Sequence, residues 1–315
     1  MPYSAMYFYK TYGLVVQSEL ALPELPVWPH NETADVTITV EELAFDQPTN
    51  SAEDESKPID KNSLLYRSKV NGVAGYEIEA GQQIKVDVYP GSAPGDVRLF
   101  LLGSAFGALL HQRRCLPLHV SSLITPGGLW AFTGESGAGK STLAAALHYK
   151  FGWPLLSDDV GALLSPNSEE PLFYPGPPRL KLWKDALAHF NIDSNGLTPD
   201  LFREDKFHLS LLKEFQQHPH PLKALVVLER GSSDELPTLT PIKGIESVQA
   251  IMHSIYRPEY ALQLNESQTV FQFCLALAQR INVYQLSRPW KLDRLDESLL
   301  LLEEQARSLA CLQTN

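Results

Sequence analysis

Cysteine is scarce in this chain of 315 residues: Cys115, Cys274 and Cys311 stand far apart. Such spacing provides neither a disulfide framework nor the paired CxxC ligands of a structural zinc site, and it fits a reducing cytoplasm. No apolar run approaches the roughly 18–20 residues needed to span a bilayer, so no membrane partner is expected. The start, MPYSAMYFYKTYGLVV, lacks the basic end, apolar middle and small-residue cleavage pattern of a secretory signal. An excess of positive charge is missing too. The net charge is −11, which excludes a nucleic-acid partner held by phosphate neutralisation. No NKxD segment occurs, which disfavours a guanine-nucleotide switch. A homo-oligomer stays open.

The charge that is present is uneven. Residues 1–95 hold 6 Lys/Arg and 14 Asp/Glu, a net of −8, whereas residues 96–315 hold 20 and 23, a net of −3. The pattern of apolar residues changes at the same place. YGLVVQSELAL, DVTITVEEL, SLLYRSKV, GYEIEA and QQIKVDVY alternate apolar and polar residues and predict strands. DQPTNSAEDESKPIDKNS, Asp46 to Ser63, has no periodicity and reads as a loop or disordered insertion. YPGSAPGD then closes the β-rich part. We expect a small β-rich domain over 1–95 and a catalytic α/β domain over 96–315.

In the second part, VRLFLLGSAFGALLHQRR has helical spacing and LPLHVSSLIT reads as a strand. GGLWAF, GESGAGKST and LAAALHYKF then follow as strand, loop and helix. Gly134, Gly139, Lys140 and Ser141 fit GxxxxGK[ST], a loop whose backbone N–H groups turn inward around phosphate oxygens at a helix N-terminus. The nucleotide-binding residues expected are Gly134, Glu135, Ser136, Gly137, Ala138, Gly139, Lys140, Ser141 and Thr142. Lys140 would reach the β- and γ-phosphates, and the Ser141 hydroxyl would ligate Mg²⁺.

One helix later, WPLL runs into Ser157-Asp158-Asp159, at the C-terminal end of a strand, where open α/β sheets keep their sites. Neighbouring strand residues point to opposite faces, so the two carboxylates need not share a role. One could hold Mg²⁺ and the other could accept the proton of an attacking hydroxyl. Further candidates are His119 on its strand, Arg179 and Lys181 on a loop running into a helix, and Lys206 and His208 in a polar stretch after a helix. Arg257 stands before Pro258, where an extended backbone and a helix end are expected. Glu229 closes the buried strand KALVVLERG and is a possible third acid. Trp183 reads as core.

The segment from Leu116 to Val160, together with PGPPRLKLW, EDKFHLS, ALVVLERG, SIYRPEYALQL and INVYQLSRPWKLDRLDE, resembles the HPr kinase/phosphorylase family. It is most similar to a branch of HPr kinase-related proteins that includes kinases of lasso-peptide precursors. The match covers roughly residues 97–300. This resemblance implies a P-loop catalytic domain of the HPr kinase C-terminal, PEP carboxykinase-like type, using ATP and Mg²⁺ to phosphorylate a serine. It makes Asp158 the catalytic base, gives Asp159 to the metal, and puts His119 close to the pair. An arginine-containing segment that HPr kinase/phosphorylases carry after the Asp pair is missing, so HPr itself and the reverse phosphorolysis are not implied. A small hydroxyl metabolite, or a regulatory ATPase that uses water, are the alternative readings. The strands of the front domain include a sheet edge that an extended peptide could join.

Overall fold

Alternating sequence becomes a mixed sheet in the first part of the chain. The computed structural model describes residues 6–29, 32–44, 57–58, 64–164, 168–200, 203–210, 216, 218–232, 234–264 and 267–313. It divides into two compact units, 1–117 with 257–270, and 118–256 with 271–315. The sequence placed a change at 95/96, whereas the first unit runs on to Pro117 and takes in a later segment. Apart from Lys57–Pro58, the expected loop over 46–63 lies outside the described residues.

In the first unit, β1 (Tyr7–Thr11), β2 (Leu14–Ser18), β3 (Val36–Val40), β4 (Lys57–Pro58), β5 (Leu65–Val70), β6 (Ala74–Glu79) and β7 (Gln83–Val88) form one sheet. Its order is β1-β2-β3-β7-β6-β5-β4, parallel where β3 meets β2 and β7 and antiparallel elsewhere. A two-residue turn joins β1 to β2, with positive φ at Tyr12 (53°) and Gly13 (75°), the left-handed pair that suits strand twist in a hairpin. Inward Val16, Ile38, Ile78, Ile84 and Val86 are fully buried. The edge of β1 is occupied by the chain itself: Trp28 N donates to Phe8 O (2.8 Å) and Lys10 N to Pro26 O (3.2 Å). An incoming peptide strand therefore finds this edge taken. The helical run α1 (Pro94–Phe100), a π-helical turn (Leu101–Ala105) and α2 (Phe106–Gln112) belongs to this unit, as does α6 (Pro258–Gln263).

β8 (Leu116–Leu118) carries the chain into the second unit. There β9 (Ser121–Thr125), β10 (Gly128–Thr133), β11 (Leu155–Ser157), β12 (Gly161–Leu163), β13 (Leu172–Tyr174), β17 (His220–Arg230), β18 (Thr238–Ile242) and β19 (Asn282–Arg288) share a mixed sheet. Its centre, β10-β17-β19, is parallel. Both faces of that centre are buried, which explains why LWAF and ALVVL read as continuous apolar runs. On one face Trp130, Phe132, Val226 and Leu286 pack with Leu143 and Leu147 of α3 (Lys140–Phe151) and with Leu299 and Leu302 of α8 (Leu295–Gln313). α4 (Lys184–His189), α5 (Ile245–His253) and α7 (Ser267–Ala278) complete the helices, the last running across from the first unit. No described helix is long and apolar enough to cross a membrane.

A smaller sheet, β14 (Arg179–Trp183), β16 (Arg203–Ser210) and β15 (Thr198–Asp200), corrects two expectations. Arg179 and Lys181 lie on a strand rather than a loop, and EDKFHLS is a strand that pairs with it. Leu180 and Leu182 alternate with the two basic residues and enter the core, a period of two. Trp183, expected in the core, stands on the opposite face and is 38% exposed.

Gly161, first residue of β12, leaves room for a neighbour: a Cβ there would lie 2.0 Å from Cζ of buried Phe173. Gly161→Ala should destabilise the protein by about 1–3 kcal/mol through overpacking, and adding Phe173→Leu should recover part of the loss. Urea denaturation checks this; an unchanged midpoint for Gly161→Ala would refute the close packing.

Candidate functional site

The loop after β10 is built around backbone rather than side chains. Gly139 caps α3 in the left-handed conformation (φ 82°), and a Cβ on it would come 2.7 Å from Nη2 of Arg288. Ala138 N donates to Glu135 O (3.0 Å), closing a tight turn, while Glu135, Ser136 and Gly137 are exposed. Ser141 and Thr142, half-buried, occupy the first turn of α3, whose free N–H groups and dipole attract an anion.

Lys140 begins that helix and is buried. Its Nζ donates to Gly134 O (2.9 Å) and Glu135 O (3.2 Å), so it is folded back over the loop. Burial pushes its pKa down, opposed by the carboxylates of Asp158 and Asp159, and Lys206 adds to the lowering. The ammonium thus shares one electrostatic environment with the aspartate pair.

The pair follows β11. Asp158 is buried and accepts two hydrogen bonds, from Ser121 Oγ (2.5 Å) to Oδ1 and from Lys181 N (2.9 Å) to Oδ2. Asp159 turns the chain with φ 78°, a left-handed conformation uncommon for a residue with a Cβ. Lys181 Nζ donates to its Oδ2 at 2.6 Å, and His119 Nδ1 lies 3.5 Å from its Oδ1 and 3.0 Å from its carbonyl oxygen. Burial alone would raise the Asp159 pKa. The charges of Lys181, His119 and Arg179 outweigh it and hold the carboxyl well below the usual range. At neutral pH the work falls to Lys181 and Arg179, because burial also lowers the His119 pKa and leaves that ring largely neutral.

His119 sits in the break between β8 and β9, not within a strand as expected. Its N–H donates to Ser254 O (2.6 Å) and its ring stacks on Tyr256 at 6.0 Å. The basic residues share one face of the small sheet, since Lys181 is opposite His208 and Trp183 opposite Lys206. Lys206 lies 5.8 Å from the Trp183 ring, and its pKa is lowered by burial and by Lys181. His208, 3.5 Å from Asp200 through Nε2, is pushed down to about 4 by burial and by Arg179 and Lys181. Arg179 is buried, and its Nε has no hydrogen-bond partner.

The structure thus brings His119, Lys140, Asp158, Asp159, Arg179, Lys181, Lys206 and His208 into the second unit. Arg257 belongs to the first. Its backbone is left-handed (φ 49°) rather than extended, and it starts α6 rather than ending a helix, with Pro258 at the position where a missing N–H costs nothing. Its guanidinium donates to Ser104 Oγ (2.8 Å) and lies over Tyr260. Glu229 is exposed and accepts from Gln285 Nε2 (2.7 Å). Among the described residues no group of three or more His, Cys, Asp or Glu could enclose a metal by itself.

Two residues were missed. Ser121 orients Asp158, and nothing in LPLHVSSLIT separates it from an ordinary strand serine. Arg288 is buried at the end of β19 and donates to Ala138 O through Nη2 (3.1 Å) and to Pro289 O through Nη1 (3.4 Å), with Nε unpartnered. Burial lowers its pKa to about 10. A basic residue at the end of a buried strand, INVYQLSR, was the available signal.

No protein-family model matches the chain, and no match is found among curated proteins. Among solved structures, the Hpr(Ser) kinase/phosphatase from Coxiella burnetii is similar at 15% identity, over 61% of this chain and 98% of that one, with a TM-score of 0.34. Likeness of that size carries no argument, so a functional reading has to rest on the site's own chemistry.

The Asp159–Lys181 pair predicts a pH effect of definite sign. A depressed carboxyl contributes stability that is complete above the ordinary Asp pKa of about 3.9 and drains as pH falls through the folded value. Lys181→Met should cost about 1–3 kcal/mol at pH 7, less than for a fully buried pair because Asp159 is partly solvated. Its stability should then fall less steeply than wild type below about pH 4. Urea unfolding from pH 7 to pH 2.5 measures both, and parallel curves would mean the pair contributes nothing.

Proposed function

We propose that this chain is an ATP- and magnesium-dependent kinase that transfers the γ-phosphoryl group to a serine hydroxyl of a peptide or small protein. Lasso-peptide precursors are the example that the family resemblance supplies. The observation that carries the reading is that β10 and β11 both flank β9 antiparallel, so the loop with Lys140 and the Asp158-Asp159 pair leave the sheet at one edge: a cation suited to phosphate and a carboxylate suited to take a proton share that edge. A regulatory ATPase needs only a positioned water, whereas a serine hydroxyl is a weak nucleophile until a base accepts its proton.

In the proposed reaction Asp158 takes the hydroxyl proton as the serine oxygen bonds to the γ-phosphorus, and the bond from that phosphorus to its bridging oxygen breaks to leave ADP. Each Asp158 oxygen already holds one donor and keeps a lone pair for a second, so the base is oriented but not saturated. Asp159 and Ser141 offer oxygen donors of the kind magnesium takes, in the small number it uses when phosphates complete its shell. Asp159, kept ionised, meets the requirement that a ligand be deprotonated. Magnesium there would neutralise charge on the phosphates. Lys140 and the N–H groups of the loop stabilise the transferred group, and Arg179, Lys181, Lys206 and His208 border the acceptor side. A reducing, cytoplasmic setting belongs to the same proposal.

Lys140→Ala should abolish transfer and weaken ATP binding; retention of a tenth of the turnover would refute the phosphate role. Because Lys140 is buried and bonded to two carbonyls, a thermal melt of the variant must accompany the assay. Asp158→Asn should lower turnover by about 10²–10⁴ with little change in ATP affinity, while Asp159→Asn should raise the magnesium concentration required. The reverse pattern in a magnesium titration would interchange the two roles. Mass spectrometry of serine-containing peptides incubated with enzyme, ATP and magnesium should find added phosphate. Phosphate on a free metabolite alone would make the chain a small-molecule kinase, and ADP release without any acceptor would make it an ATPase.

A further inference from the structure

A cavity of about 320 Å³ opens at the C-terminal ends of β17 and β19, walled by Gly231, Glu235, Leu236, Thr238, Ser287 and Arg288 among others. None of these residues has a role in the transfer described above. The cavity size lies at the lower end of the range for small-ligand sites, about 300–1,000 Å³. Its floor is fixed: Gly231 N donates to Arg288 O (2.9 Å), joining the two strand ends, and Thr238 of β18 pairs with Ser287.

The cavity opens at the same edge of the sheet as the glycine loop. β10, β17 and β19 are parallel neighbours, so the loop after β10 and the ends of β17 and β19 all lie at their C-terminal edge, where open α/β sheets bind ligands. Neighbouring strands are about 4.8 Å apart, which puts the cavity within roughly 5–10 Å of the loop. Arg288 spans that gap, forming one wall of the cavity while its Nη2 touches Ala138 O in the loop. It is 5% exposed, its described acceptors are carbonyls rather than a carboxylate, and its Nε has none. A buried cation without a counter-charge is costly until an anion reaches it. The remaining walls are neutral or acidic. Glu235, Thr238 and Ser287 present oxygen acceptors, and Leu236, 72% exposed, presents an apolar side chain to solvent.

We propose that this cavity receives the base and sugar of a purine nucleoside triphosphate whose phosphates lie in the loop, with Arg288 meeting the phosphate nearest the sugar. Leu236 covers a face of the base, and the hydroxyl and carboxylate oxygens accept from the sugar hydroxyls and the exocyclic amine. The inference rests on the nucleotide reading given above and extends it to the other end of the ligand.

Isothermal titration of the full chain with ATP and with inorganic tripolyphosphate tests it. Thr238→Trp plugs the cavity from an exposed strand position and Leu236→Ser removes its apolar cover, so neither change threatens the core. Thr238→Trp should weaken ATP binding by about tenfold or more, and Leu236→Ser about threefold, a span of roughly 0.6–1.4 kcal/mol. Tripolyphosphate binding should be unchanged in both. Arg288→Met should weaken both ligands, and photolabelling with 8-azido-ATP should mark the peptide that contains Glu235 to Thr238. ATP binding that Lys140→Ala weakens but that ignores both cavity variants, with the label elsewhere, would overturn this inference and leave the nucleotide reading standing. A wild-type chain that binds neither ligand would overturn both.

Discussion

Lys181 holds the two aspartates by two different parts of itself. Its backbone N–H fixes Asp158 at 2.9 Å and its ammonium fixes Asp159 at 2.6 Å. A peptide N–H cannot change its charge, so Asp158 keeps its orientation whatever the protonation of its surroundings. The ammonium does something the amide cannot, offsetting the desolvation of a carboxylate that turns the chain in a left-handed conformation. The strand after Asp159 then starts at a glycine that leaves room for Phe173. Together with Ser121, which holds the other oxygen of Asp158, this one lysine on a neighbouring sheet fixes which way each carboxylate faces.

That arrangement explains why the small sheet exists beside the large one. A parallel sheet buried on both faces has nowhere along its length to display charge, so its polar chemistry is confined to the strand ends. The three short strands supply a second surface, apolar through Leu180, Leu182 and Leu209 and basic through Arg179, Lys181, Lys206 and His208. Burial lowers the pKa of Lys206 and of His208, and the cations nearby add to it: Lys181 for Lys206, and Arg179 and Lys181 for His208. A positive surface assembled at such cost is suited to an anionic ligand, whose charge would relieve the repulsion.

Reading the sequence succeeded where one physical signal dominated. Alternation over YGLVVQ, GYEIEA and QIKVDV predicted strands of the first sheet, and the apolar runs in GGLWAF and KALVVLERG predicted β10 and β17. It also located Gly134–Thr142 between strand and helix and Asp158-Asp159 at a strand end. It failed where signals competed. Arg179 to Trp183 alternates with period two, but PGPP before it and KDALAH after it argued for a loop entering a helix. Arg257 was read from the rule for residues before proline, which disfavours right-handed helix without saying that the chain would turn left-handed instead. The unit boundary followed a change of composition, whereas the helical run 94–112 packs with the β-rich unit by contacts far apart in sequence. Trp183 was assigned by residue type alone, and its face of the strand decided otherwise.

Arg288 illustrates a further limit, since a buried cation looks in sequence like any basic residue that ends a strand. Only packing distinguishes it. The Cβ that Gly139 lacks would occupy the space of its guanidinium, so the third glycine of the loop serves the arginine as much as the left-handed cap. The requirement is mutual: Arg288 donates to the carbonyl of Ala138, which precedes that glycine, and so restrains the turn from which α3 departs. The loop's shape is therefore set from the far side of the sheet by β19 as well as by its own glycines. A motif that seems local in the sequence is completed by a residue 149 positions later than Gly139, which is why the motif alone indicates an anion site without indicating its full extent.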